Sequence, residues 1–168
     1  AVLAAIPVTI FALNHFQVQS HLDDVVASDH RNSGIVVSAH YAGWTNADVL
    51  TFDLKGISGD NSPLDVFRVF LQFAHRLRDR HFERIELRFR GKVKFLLPGS
   101  DFLKLGSEYT WQNPTYTVRT FPDKLMNPDG SRAFPVWTGG MLGVLGKQME
   151  DFNEFHRRWY LREYVSDF

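Results

Sequence analysis

Four side chains that can donate or accept a proton lie within seven residues near the C-terminus: Glu150, Asp151, Glu154 and His156. Histidine and carboxylate side chains are the usual general acids and bases of enzymes, provided that they reach a substrate proton. His156 and Glu150 are therefore the first candidate catalytic residues. His40 is a third candidate, as a histidine on another element.

The apolar residues around this cluster indicate one helix with an apolar face and a solvent-exposed face. They recur every three or four residues and fall on one stripe: Leu145, Met149, Phe152, His156 and Trp159 or Tyr160. The carboxylates lie off this stripe, where Glu154 can pair with Arg158 four residues later. The simplest interpretation is that the carboxylates belong to the solvent-exposed face of the helix. His156 is either a core histidine or a functional histidine at the edge of a groove, where burial would tune its pKa.

Two tryptophans, Trp137 and Trp159, are the aromatic residues that we expect to line a cleft. None of the seven histidines forms the HExxH pattern of a metal-binding helix, and the chain has no cysteine, which excludes Cys-based zinc sites and thiolate nucleophiles. The GxSxG nucleophile motif is absent as well. We expect no metal and no cofactor.

A basic stretch runs from Arg76 to Lys94, with eight Lys or Arg residues against three acidic ones. Arg88 and Arg90 lie within it and are candidate binding residues for an anion or an acidic headgroup. The alternative is the solvated face of a helix end and a hairpin. Alternation of charged and apolar residues is typical of a half-exposed sheet.

Glycines occur at 139, 140, 143 and 146 in the stretch GGMLGVLG. Each glycine inside a helix costs about 1 kcal/mol relative to alanine, so the cluster calls for an explanation. The spacing predicts a helix face packed tightly against a neighbour. The alternative is a loop that holds a ligand on its backbone N–H groups.

Composition limits the class of protein. The 168 residues are 44% hydrophobic and 14% aromatic, enough for one domain with a proper core. The 19 basic residues balance the 19 acidic ones, which argues against a nucleic-acid partner, since such binders usually carry a basic excess.

The order of predicted elements indicates an α+β fold. We expect one antiparallel or mixed sheet of about five strands in ββαββα-like order, with helices packed on it and a long C-terminal helix. Ser62 and Pro63 mark the start of the middle helix as its N-cap and first residue. The five predicted strands are 34–44, 48–57, the two arms of a hairpin within 84–98, and 115–121.

The start of the chain is apolar. Residues 1–13 are apolar except for Pro7 and Thr9, and the first charged residue is Asp23. A membrane-spanning helix needs roughly 20 apolar residues, so this run predicts part of a membrane anchor. Residues 1–30 would then be the anchor and a juxtamembrane helix, and residues 31–168 the globular domain. The alternative is a buried first element of a soluble domain.

Three functional hypotheses follow. The first is a binding or interaction domain anchored in a bacterial inner membrane and facing the periplasm, whose partner is an envelope protein or a second copy of the chain. The second is a small hydrolase or transferase that uses His156 or His40 with a carboxylate. The third is an anion-binding module that uses the basic stretch. For location, the alternative is a soluble cytoplasmic protein.

Overall fold

The computed structural model describes residue 9 and residues 12–166. Its regular elements follow in chain order: a π-helical turn His15–Gln19, α1 Ser20–Ser28, β1 Val36–Ala42, β2 Asn46–Gly56, α2 Pro63–Arg76, β3 Arg84–Phe89, β4 Lys92–Pro98, α3 Gly99–Glu108, α4 Pro114–Thr120, α5 Met141–His156, a second π-helical turn Arg157–Leu161, and α6 Arg162–Val165. This is the α+β fold with a long C-terminal helix that the sequence predicts.

The four strands form one mixed sheet in the order β1-β2-β3-β4. The pairs β1–β2 and β3–β4 are antiparallel, whereas the central pair β2–β3 is parallel. A parallel pair needs a crossover connection, and α2 supplies it between β2 and β3. The sheet is therefore two hairpins joined side by side through one helix.

Helix α2 forms where the sequence predicts it, because its first turn is capped from both sides. The Ser62 hydroxyl accepts from the Asp65 N–H, the Asp65 carboxylate accepts from the Ser62 N–H, and Pro63 occupies the first turn. This reciprocal cap satisfies backbone donors that have no partner within the helix. The buried side of α2 packs on the sheet: Phe70 and Phe73 both contact Phe52 of β2.

The predicted fifth strand, 115–121, is wrong: this segment is helix α4. Its β-branched threonines favour a strand. However, Asn113 caps the segment by accepting from the Thr115 N–H at 2.9 Å, and Pro114 stands in the first turn. A capping Asn followed by Pro is a helix start, and here it outweighs the strand propensity.

The first helical segment packs into the same core as the rest of the chain. Val18, Leu22 and Val25 are buried in one cluster with the apolar faces of the sheet and α2. The prediction of an anchor falls largely on residues 1–8, 10 and 11, which lie outside the described residues. Within the described part of the chain, no helix has the length and apolar character to cross a membrane.

Gly143 and Gly146 lie inside the closing helix, and Gly139 and Gly140 come directly before it. The tight packing predicted for them is not found among the described residues. A Cβ atom placed at Gly139, Gly140, Gly143 or Gly146 would meet no atom of a described residue within 4 Å. The helix packs through its other end instead, where Phe155 and Trp159 lie against Phe95 and Phe52 of the sheet. The glycine-rich start of α5 therefore has no close neighbour in the part of the chain that the structure describes.

Candidate functional site

A cavity lies between the first helical segment and the β1–β2 hairpin. We call it the hairpin groove. Its volume is about 420 Å³, within the usual range of small-molecule sites. Its lining residues come from the π-helical turn and its flank, from β1, from the hairpin turn and from β2: Asn14, His15, Gln19, Ser38, Ala39, His40, Trp44 and Lys55.

Trp44 stands at the turn of this hairpin in a strained conformation. Its φ is +69°, in the left-handed region that bulky residues rarely adopt. Two hydrogen bonds hold it there: the Trp44 N–H donates to the Tyr41 carbonyl, and the Trp44 carbonyl accepts from the Asn14 side chain, both at 2.8 Å. The side chain remains 44% exposed. Strain of this kind clusters at functional sites.

The π-helical turn places two amide side chains against the outer edge of β1. Asn14 Oδ1 accepts from the Tyr41 N–H at 2.7 Å, and Gln19 Oε1 accepts from the Ala39 N–H at 2.8 Å. In a π-helix the hydrogen bond joins residues five apart, so Asn14 and Gln19 lie one above the other, as residues four apart do in an α-helix. These two backbone N–H groups of the edge strand β1 thereby have hydrogen-bond partners. The same bonds fix the helical wall of the groove to the strand wall.

His40 forms part of the wall opposite that turn. Its ring stacks on Trp44, with centroids 4.5 Å apart and planes within 6°. Its Nδ1 lies 2.8 Å from the Tyr41 carbonyl oxygen. Since a carbonyl oxygen can only accept, Nδ1 carries the proton and Nε2 of the neutral ring is an acceptor. The ring is thus oriented by backbone and by stacking, with one nitrogen able to accept from a ligand.

The sheet face beside His40 carries several polar side chains, and two of them, Asp53 and Lys55, form an ion pair. Ser38 lies opposite Asp53, and Asp53 is buried, accepts from the Gly91 N–H at 3.1 Å and forms an ion pair with Lys55. Next to them, Thr51 lies opposite His40 and is fully buried. The Lys55 charge in the groove wall is therefore neutralised inside the protein.

His156 lies in the core, remote from this groove. It is fully buried among aromatic rings, with the centroids of Phe152 and Phe155 each 4.7 Å from its own. Burial lowers its pKa to about 3. Glu150 is exposed on the same helix, but six residues away, which places it on a different side. The two side chains do not form an acid–base pair, and a substrate has no path to His156 in this conformation.

The two predicted cleft tryptophans occupy separate places. Trp159 is 1% exposed, and its Nε1–H donates to the Arg88 carbonyl at 2.9 Å. Trp137 lies against the solvated side of α5, where its Nε1–H donates to Asp151 at 2.6 Å and Lys147 stacks over its ring. Trp159 is a core residue, and Trp137 is held by α5.

The basic stretch is largely engaged within the protein. Arg88 pairs with Glu86 at 2.5 Å, Arg90 donates to the Lys55 carbonyl and lies over the Phe89 ring, and Lys94 pairs with Glu163. The remaining cations of the stretch also have internal partners: Arg76, Arg78, Arg80, Arg84 and Lys92. A free anion would have to compete with these contacts where the partner is a carboxylate. Arg78 and Arg80 donate to neutral oxygens instead, and these bonds do not cancel their charge.

The sequence suggests His40 only as a catalytic candidate and does not point to most of the residues that surround it here. One signal was present: a tryptophan in the polar turn GWTN between two strands has no core to enter. Asn14 and Gln19 carry no comparable signal, because their role depends on the approach of a distant strand. A scan against protein-family models finds no match for this chain, and searches of curated proteins and of solved structures find none either.

Proposed function

We propose that this chain is a binding domain without catalytic chemistry, anchored at a bacterial inner membrane and facing the periplasm, and that its ligand is a small planar molecule bound in the hairpin groove. The observation that carries the proposal is Trp44, a half-exposed ring in a strained backbone conformation at the edge of the groove. A strained residue held by two hydrogen bonds suggests preorganisation for a ligand.

The lining residues define the class of ligand. Trp44 and the stacked His40 ring offer a flat aromatic surface, which suits a planar ligand. His40 Nε2 accepts a hydrogen bond, so the ligand carries an O–H or N–H donor. Lys55 is neutralised by Asp53, so no strong charge in the ligand is required.

The test uses two water-soluble planar probes, 4-hydroxybenzamide and benzamide, which differ by one phenolic O–H. Each is titrated into the full chain in detergent micelles, and backbone amide shifts are followed by NMR. We expect shifts confined to the groove, around Gln19 and Ala39, with tighter binding of the hydroxylated probe. His40→Phe retains a ring but removes the acceptor, and should abolish the difference between the two probes.

The matched controls are Trp44→Asn and Trp111→Asn. Asparagine tolerates the left-handed conformation, so Trp44→Asn should keep the turn and lose the shifts. Trp111 is 68% exposed elsewhere, and its replacement should leave them unchanged. Shifts scattered over the surface, or equal effects of the two replacements, would refute the proposed site.

The proposed anchoring is tested separately. The support for it is the apolar run of residues 1–13, which leads directly into the helical segment that forms the groove wall. Alkaline phosphatase fused to the C-terminus of the native chain should be active and sediment with membranes. An inactive or fully soluble fusion would contradict the anchoring and leave the groove proposal standing.

A further inference from the structure

Three exposed apolar side chains lie together beside the hairpin groove. Leu13 is 50% exposed, Phe16 is 72% exposed and Trp44 is 44% exposed. Leu13 and Trp44 line the same cleft of about 260 Å³, together with residues of the hairpin turn. Phe16 follows Leu13 by three residues in one helical segment, which makes them surface neighbours. We call these three residues the apolar edge.

The apolar edge is continuous with the apolar start of the chain. The residues that precede Leu13 are uncharged, and Asp23 is the first charged residue in the sequence. If residues 1–13 enter a bilayer, Leu13 stands at its surface and Phe16 lies within one helical turn of it. Arg80 lies at the same end of the domain, where it donates to the Gln17 carbonyl and the Tyr41 hydroxyl.

We infer that the domain docks on the surface of an anionic lipid bilayer through the apolar edge, with the Trp44 ring in the interfacial region. Tryptophan is enriched at that depth because its ring is amphipathic, and an arginine nearby favours anionic headgroups. The hairpin groove then opens beside the membrane. The inference rests on the proposed anchoring and adds to it an oriented contact between domain and lipid.

The experiment reconstitutes the full chain in phosphatidylcholine–phosphatidylglycerol vesicles that contain lipids brominated in the acyl chain, which quench tryptophan fluorescence on contact. Trp44→Phe should remove most of the quenching. Trp111→Phe, at an exposed tryptophan away from the apolar edge, should leave it unchanged. Equal losses in the two variants, or quenching that persists in Trp44→Phe, would overturn the inference.

A second measurement does not depend on the tryptophan variants. Because the chain has no cysteine, Phe16→Cys and Leu142→Cys each create one labelling position. Leu142 is 86% exposed on α5 and serves as the control. A spin label at position 16 should be accessible to membrane-dissolved oxygen, and one at position 142 to an aqueous nickel complex.

The outcomes separate the two proposals. A chain that does not float with vesicles at all overturns the anchoring and the docking together. A chain that floats, but whose position 16 is as accessible to the nickel complex as position 142, retains the anchoring and loses the docking.

Discussion

At the scale of single residues, His156 has the most unusual surroundings. Both ring nitrogens are buried without a hydrogen-bond partner among the described residues, and so is the hydroxyl of Tyr160, whose ring centroid lies 5.6 Å away. Burial without a partner disfavours the charged form of histidine. The same burial raises the pKa of Tyr160 above its usual value. Both groups are therefore neutral over the whole physiological pH range.

This burial makes stability depend on pH. The pKa of His156 falls from 6.5 to about 3 on folding, so between these values the unfolded chain binds a proton that the folded chain does not. The free energy of unfolding should therefore fall as pH falls below about 6.5, by up to about 1.4 kcal/mol per pH unit. Urea denaturation between pH 5 and pH 7, above the range where most carboxyl groups titrate, measures this slope.

The variant His156→Leu removes the titrating group and its two unsatisfied nitrogens. We expect stability at pH 7 to be kept or increased, and the pH slope to flatten. His30 is almost fully exposed, and His30→Leu serves as the matched control that should leave the slope unchanged. An unaltered slope in His156→Leu would show that other groups cause the pH dependence.

At the scale of elements, the helices differ in how closely their glycines approach neighbours. A Cβ atom on Gly106 of α3 would lie 2.3 Å from the Ala74 carbonyl oxygen of α2, whereas one on Gly146 of α5 would meet nothing within 4 Å among residues 9 and 12–166. Both glycines lie inside helices. Gly106 allows two helices to touch. Gly146 carries the entropic cost of glycine in α5, and no described residue packs closely against it.

The same substitution should therefore have opposite effects at the two positions. Gly146→Ala should stabilise the protein by about 1 kcal/mol, because alanine is the better helix former. Gly106→Ala should destabilise it by about 2 kcal/mol, since α2 and α3 must move apart. Chemical denaturation of the two variants beside the parent chain compares them directly. Destabilisation by Gly146→Ala would indicate that α5 has a partner at that position.

At the scale of the whole molecule, one core joins the first helix to the last. Leu22 of α1 is fully buried in the same cluster as Phe52 of the sheet and Trp159 near the C-terminus. A helix that only connected an anchor to a domain would not place a fully buried leucine in the core of that domain. We expect the described chain to unfold in one cooperative transition, as single domains of this size usually do.

The variant Leu22→Ala tests whether the first helix unfolds together with the rest of the domain. It should lower the free energy of unfolding of the whole domain by about 2–5 kcal/mol, the usual range for a buried leucine. Phe16→Ala, at an exposed position of the same helical segment, should change it by less than about 0.5 kcal/mol. Loss of helix signal in Leu22→Ala before the sheet unfolds would show that the first helix is a separate unit.

Local patterns predicted most of the elements, since they depend on residues close in the chain. The predicted strands 34–44 and 48–57, the cap at Ser62 and the apolar stripe through Phe152 and His156 all correspond to observed elements. The prediction failed at 115–121, where strand-favouring threonines follow an Asn–Pro helix start. It failed again at the glycines of α5, because sequence does not show whether a glycine has a neighbour.

Local sequence patterns were enough to predict the class of fold, the solvent-exposed face of the closing helix and the position of His156 on its apolar stripe. Each of these follows from the period of a helix or strand. The tertiary structure alone decided that this stripe is sealed in the core. It also decided that the basic stretch has internal partners, and that Asn14, His40 and Trp44 meet around a groove. Many of these contacts join residues far apart in the chain, such as Asn14 with Trp44, 30 positions apart, and Lys94 with Glu163, 69 positions apart. No local period encodes them.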